Sequence, residues 1–312
     1  MYLKDRNTTI PYGYEQIFFY TPTKKIAPSN SKVIEAYEKG GISKNEINMV
    51  SFLYDFGMAS IDQMTVLFDT SGNRKKVKDS LNKLVKWRLL NKFVIGESGA
   101  PYSTDAMEIY CIDKCGASIL NVFNNGESYA SFKIERVYKT AHKTWKHLVM
   151  VDLYIRLLQT CPNKLAAFKV EPLSFTSKSR IKPHYGLAIA HLDSIICFAG
   201  GVISDYEVAG FASTSDSFTS KVGQYEKLVS SSAYTMIFGD IEKPPVLLFI
   251  TESDETMRKV AEIVSQTGII EKAECRYTTY EKLMNMNLAD AGVLFSYRNG
   301  NFSTGTNALF AN

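Results

Sequence analysis

The stretch "SGNRKKVKDSLNKLVKWRLLNKF", residues 71–93, carries eight Lys or Arg and one acid, Asp79. At 3.6 residues per turn, Val77, Leu81, Leu84 and Val85 form one apolar stripe. Lys75, Asn82 and Lys86 centre the opposite face, and Lys76, Lys78 and Lys83 flank it. Eight cations less one acid give these residues +7 in a 312-residue chain that is only +4, which leaves −3 for the rest. The positive charge is local. A local excess says more about partners than a mildly basic total does.

The sequence on either side supplies a context for this helix. In "ISKNEINMVSFLYDFGM", Ser43 with Glu46 has the spacing of a capping box. Ile47, Val50, Leu53 and Tyr54 then recur on one face, and Gly57 is placed to end the helix. "ASIDQMTVLFD" predicts a shorter helix capped by Ser60, with Met64, Leu67 and Phe68 turned inward. After the basic helix, "NKFVIGESGAPYSTDAMEIYCID" reads as two strands around a Gly, Ser and Pro loop, and "DKCGASILNVFNN" as one more helix. Three helices followed by a hairpin is the winged helix-turn-helix order. There a trihelical core seats the third helix with its far face free for a DNA major groove. The expected contacts are Arg74, Lys75, Lys76, Lys78, Asn82, Lys83, Lys86, Arg88 and Lys92, with cations for phosphates and Asn82 or Arg74 for base edges.

Expected boundaries follow. Residues 1–42 form an extension without clear periodicity, and 43–125 the winged helix. Residues 126–164 are a linker and bridging helix, 165–300 a mixed α/β domain, and 301–312 a loose tail. The bridging helix carries Arg136, Lys139, Lys143 and Lys146 on successive turns, which would extend the basic surface. His142 and His147 are five apart and do not share a helix face as metal ligands would. Beyond Leu165, "AAFKVEPLSF", "SIICFAGG", "SDYEVAGF", "PPVLLFITES" and "AECRYTT" read as strands. "SDSFTSKVGQYEKLVSSS" and "DETMRKVAEIVSQTG" read as helices between the later ones. The apolar run Val246–Thr251 suits a strand buried on both faces.

The order of these features resembles the plasmid replication-relaxation family over most of residues 43–264. The resemblance rests on "INMVSFLYDFGMASIDQMTVLF", "RKKVKDSLNKLVKWRLLNKF", "YCIDKCGASIL", "KHLVMVDLYIRLL", "RIKPHYGLAIA", "SDYEVAGF", "SKVGQYEKL" and "PPVLLFITES". It implies a winged helix joined to a C-terminal domain similar to restriction-endonuclease folds. Such a core takes an acid after a Pro, then a strand bearing an acid and a nearby Lys. The carboxylates hold Mg²⁺ beside the scissile phosphate while the Lys orients water. Here His184 follows Pro183 where Asp is expected, and Glu207 is present without a Lys two residues on. Asp205 and Glu207, two apart on the expected strand, would share a face. Lys221 and Tyr225 match the family's next helix.

No cofactor and no catalytic residue is assigned. Mg²⁺ enters only in the alternative of a DNA-nicking enzyme using Asp205 and Glu207, with His184 and Lys221 as the further catalytic candidates. A second alternative is a winged helix that binds proteins. Cys111 and Cys115 lack the second pair of a zinc site. "FAGGV" lacks the Lys-Ser or Lys-Thr of a phosphate loop. Five scattered cysteines, no signal-like N-terminus and no long apolar run predict a reduced, cytoplasmic protein without a membrane span. The expected partners are double-stranded DNA, a second copy of the chain, and replication or conjugation proteins.

Overall fold

Ser43 starts the first core helix as its spacing predicts. Its hydroxyl accepts from the Glu46 N–H at 3.2 Å, and its own N–H donates to the Glu46 carboxylate at 2.8 Å. A computed structural model describes residues 14–18, 28–97, 107–123, 141–209 and 217–305. Among these, α and β elements are mixed, and the chain divides into two compact units between Val151 and Asp152. No helix of the described residues is long and apolar enough to cross a membrane.

In the N-terminal unit, strand β1 (Tyr14–Phe18) and helix α1 (Asn30–Glu38) precede helix α2 (Lys44–Phe56). Gly57 ends α2 at φ +81°, where a side chain would be strained. A short strand β2 (Met58–Ser60) leads into helix α3 (Ile61–Phe68), where Ser60 and Gln63 form a second capping box. Helix α4 (Arg74–Lys86), strands β3 (Leu90–Glu97) and β4 (Met107–Ile112) and helix α5 (Lys114–Phe123) follow. The antiparallel sheet runs β1-β3-β4-β2, with Phe93 opposite Ile109. Three helices and a hairpin therefore occur in the expected order, but residues 1–42 are not uniformly irregular. Strand β1 is recruited by backbone pairing with β3, and α1 buries only Val33, so neither leaves an apolar period to read.

Helix α6 (Ala141–Thr160) contains the boundary between the units. Its N-terminal half belongs to the first unit, where Leu148 packs with Met58, Phe93, Ile95, Ile109 and Cys111. The Gln63 amide also donates to the Leu148 carbonyl at 2.8 Å. Lys146 is buried rather than part of a basic surface, because the same half-helix is covered all round. Arg136 and Lys139 lie outside the described residues.

In the C-terminal unit, α6 is followed by strand β5 (Leu165–Val170) and a small pair, β6 (Ser174–Phe175) and β7 (Arg180–Ile181). Strands β8 (Tyr185–His191) and β9 (Ser194–Ile203) complete an antiparallel meander with β5. A helical turn α7 (Asp205–Val208), helix α8 (Phe218–Ser230) and a short α9 (Thr235–Phe238) cross to strand β10 (Val246–Thr251), parallel to β9. Helix α10 (Asp254–Ser265) crosses to β11 (Cys275–Thr279), parallel to β10. Helix α11 (Tyr280–Asn285) and the hairpin of β12 (Phe295–Arg298) and β13 (Asn301–Thr304) end the unit. The seven-stranded order is β13-β12-β11-β10-β9-β8-β5. Leu247, Phe249 and Tyr277 meet Val222, Leu228 and Val260 in its core.

Two expectations fail here. The stretch from Arg298 is no loose tail through Thr304, because Asn299 (φ +51°) and Gly300 (φ +79°) make the two-residue turn of the last hairpin. Residues 306–312 of that tail lie outside the described residues. "SDYEVA", the described part of "SDYEVAGF", is no strand either. Ser204 caps a helical turn, and Glu207 reaches back to it from the third position, so local side-chain bonding outcompetes the sheet ladder.

Candidate nucleic-acid interface

Helix α4 is seated by Val77, Leu81 and Leu84, all buried, while Val85 is half-buried. Burying such side chains is worth about 1.5–3 kcal/mol each, so the helix is firmly held in its unit. Asn73 caps it by accepting from the Lys76 N–H at 3.1 Å. Lys75, Asp79 and Lys86 are exposed on the face opposite that stripe, with Asn82 half-buried beside them. Lys75 and Lys86 have no ion-pair partner among the described residues.

The remaining cations are dispersed and engaged, contrary to the expected continuous basic face. Arg74 Nε lies 2.6 Å from Asp62 Oδ1, and Lys76 Nζ lies 3.8 Å from Asp69 Oδ2. Lys83 Nζ sits 2.7 Å from Glu46 Oε1 and also donates to the Gly41 carbonyl at 2.9 Å. Lys78 and Lys92 share Glu108, at 3.0 and 2.7 Å. Arg88 Nε is 3.4 Å from Asp113 Oδ2. Arg88 also reverses the chain after α4 at φ +59°, with its N–H on the Val85 carbonyl, which is a structural task. The reason the sequence misleads is separation. Apart from Asp69, which just precedes the stretch, the paired acids come from α2, α3, β4 and the β4–α5 junction, so a local charge count does not see them.

These pairs differ in strength. Arg74 and Lys76 keep 50% and 73% of their side-chain surface exposed, so their pairs are screened and exchangeable. Lys92 keeps only 18%. Burial would raise the Glu108 carboxyl, but the Lys92 and Lys78 ammoniums outweigh it and hold the group below the usual range. Glu46 behaves likewise, with burial opposed by Lys83 and the Ser43 N–H. Asp69 is lowered chiefly by the hydroxyl and N–H of Ser71. Tyr110 donates to Asn82 Oδ1 at 3.3 Å, so Asn82, the expected base reader, is oriented from β4. Glu108 and Tyr110 were not foreseen. The signal was their i, i+2 spacing on a strand that returns beside α4.

In the C-terminal unit the four nuclease-like residues do not form a metal centre. Glu207 Oε2 accepts from the Ser204 N–H at 2.9 Å and hydroxyl at 3.1 Å, and Oε1 is 2.6 Å from Lys221 Nζ. Asp205 Oδ1 instead accepts from Thr256 and Ser253 hydroxyls, at 2.5 and 3.2 Å. The two carboxylates are thus committed to different neighbours, and the shared strand face does not exist. His184 Nδ1 accepts from the Val202 N–H at 2.9 Å, which binds it to the sheet backbone. Among the described residues no cluster of three or more His, Cys, Asp or Glu could hold a metal ion.

The glycine pair of "FAGGV" has a packing role. A Cβ on Gly200 would lie 1.9 Å from the Leu248 carbonyl, and one on Gly201 would lie 2.4 Å from the Tyr225 hydroxyl. Cys111 is buried, and burial pushes its thiol well up, as suits a structural residue. No protein-family model, curated protein or solved structure matches the chain.

Proposed function

We propose that the chain is a site-recognising, duplex-DNA-binding protein of a bacterial mobile element. It would act in the cytoplasm in replication, in relaxation and transfer, or in their regulation. The N-terminal unit is read as a winged helix, and α4 as the segment that enters the major groove. The observation carrying this reading is the seating of α4 by Val77, Leu81 and Leu84 with Lys75 and Lys86 exposed opposite. The contact set is Lys75 and Lys86, with Arg74 and Lys76 recruited from their exposed pairs and Asn82 at a base edge. Lys78, Lys83, Arg88 and Lys92 first hold the unit together. The mobile-element assignment rests on the family resemblance, and a homodimer on a palindromic site is part of the proposal.

The C-terminal unit is read as a restriction-endonuclease-like scaffold used for assembly or partner contact. Its helix, three-strand antiparallel meander, crossover helix and parallel strand support that reading. Mg²⁺-dependent nicking is disfavoured by the commitment of Glu207 to Ser204 and Lys221. A second reading, a winged helix that binds protein, is favoured by Asp79, an exposed acid between Lys75 and Lys86. A gel shift on DNA flanking the gene separates them. Lys75→Glu with Lys86→Glu should weaken binding more than tenfold, and Lys259→Glu in the C-terminal unit should not. Equal affinities for all three chains would reject the DNA reading.

A further inference from the structure

Glu108 of β4 is held by two ammonium groups. Lys92 Nζ lies 2.7 Å from Oε1, and Lys78 Nζ lies 3.0 Å from Oε2 and 3.1 Å from Oε1. One carboxylate against two lysines leaves one uncompensated positive charge. A structural ion pair needs no second cation, and an extra one packed this close repels the first unless an anion answers it. The three side chains keep 22%, 36% and 18% of their surface exposed for Glu108, Lys78 and Lys92, so an anion reaches them from solvent. The floor is rigid. Tyr110 is fully buried, its ring lies beneath Lys92 Nζ at 5.7 Å from the centroid, and its hydroxyl donates to Asn82. Lys78 and Asn82 are one helical turn apart on α4, so the charged cluster borders the expected base reader.

We infer that Lys78 and Lys92 form a subsite for DNA backbone phosphate, and that Glu108 occupies half of it as the protein's own stand-in anion. The inference rests on the duplex-DNA reading and deepens it. In the free protein Glu108 neutralises one of the two lysines. On DNA, a phosphodiester takes up the surplus charge while Glu108 keeps its place. The subsite therefore supplies one net phosphate contact, whereas the sequence counts two. Its carboxylate also repels any further phosphate brought to the same two lysines.

The test is the slope of log K against log salt for a duplex that the wild-type protein binds, because each neutralised phosphate adds about −0.9. Glu108→Gln keeps the shape and removes the stand-in charge. It should bind more tightly at low salt and steepen the slope by about 0.9, which is about a 3.5-fold larger loss of affinity between about 50 and 200 mM salt. Lys78→Gln in that background should restore the wild-type slope. Lys92→Gln alone, which leaves a matched pair, should flatten the wild-type slope by about 0.9 and guards against misfolding of Glu108→Gln. If Glu108→Gln and Lys92→Gln fold but leave the slope unchanged, while Lys75→Glu with Lys86→Glu abolishes binding, the subsite is wrong and the DNA reading survives. Wild-type protein that binds no duplex at any salt overturns both.

Discussion

Lys221 Nζ lies 2.6 Å from Glu207 Oε1, and these side chains are 21% and 1% exposed. The sequence offers both residues as nuclease-like candidates, yet here each satisfies the other. Glu207 closes the cap of α7, and Lys221 on α8 neutralises it. Removing one member of a buried pair strands the other's charge, which costs far more than the pair itself contributes.

Glu207→Ala is therefore expected to destabilise the C-terminal unit by about 3 kcal/mol, and Glu207→Gln with Lys221→Met by less. Urea unfolding checks this. About 10 mM Mg²⁺ should leave the melting temperature unchanged, since a ligand raises it only by binding the folded state. A Mg²⁺-induced rise that vanishes in Glu207→Ala would make Glu207 a metal ligand after all.

The glycines of β9 and α8 should respond in opposite directions. Gly200→Ala forces a methyl into the Leu248 carbonyl and should cost more than about 3 kcal/mol. Gly223→Ala, in the middle of α8 with nothing within 4 Å, should gain about 0.5–1 kcal/mol. Thermal unfolding of the two variants decides, and a tolerated Gly200→Ala would mean that β9 and β10 do not pack this closely.

The legibility of the sequence varied with the range of the interactions. Ser43, Ser60 and Gly57 were readable because a helix cap is decided within four residues. Val77, Leu81 and Leu84 were readable because one face of a helix repeats every turn. Strand β1 was not, since its five residues are too few to set a period, and the last hairpin was missed although Asn299-Gly300 is a two-residue turn signal. Charge was the least legible property. The eight cations looked free because Asp62, Asp69, Glu46, Glu108 and Asp113 meet six of them only after the chain has folded.

Glu46 makes the N-terminal unit acid-sensitive. Its folded carboxyl is held below the usual 4.5, so the stabilisation is full above that value. It is lost as pH falls through the depressed one. Stability of the unit should therefore decline below about pH 4.5, with Glu108 adding in the same direction. Glu46→Gln should cost about 1–2 kcal/mol at pH 7 and flatten that decline. Chemical denaturation at a series of pH values reads both, and an unaltered decline in Glu46→Gln would remove Glu46 as its source.

The most direct test of the central proposal is a salt titration of wild-type binding to a short duplex from the flanking DNA. Lys75, Lys86, the exchangeable Arg74 and Lys76, and one net contact at Glu108 amount to a few phosphates per protomer. That predicts a slope of log K against log salt between about −2 and −5. A slope near zero, or binding that persists at about 1 M salt, would contradict a surface built to meet a polyanion.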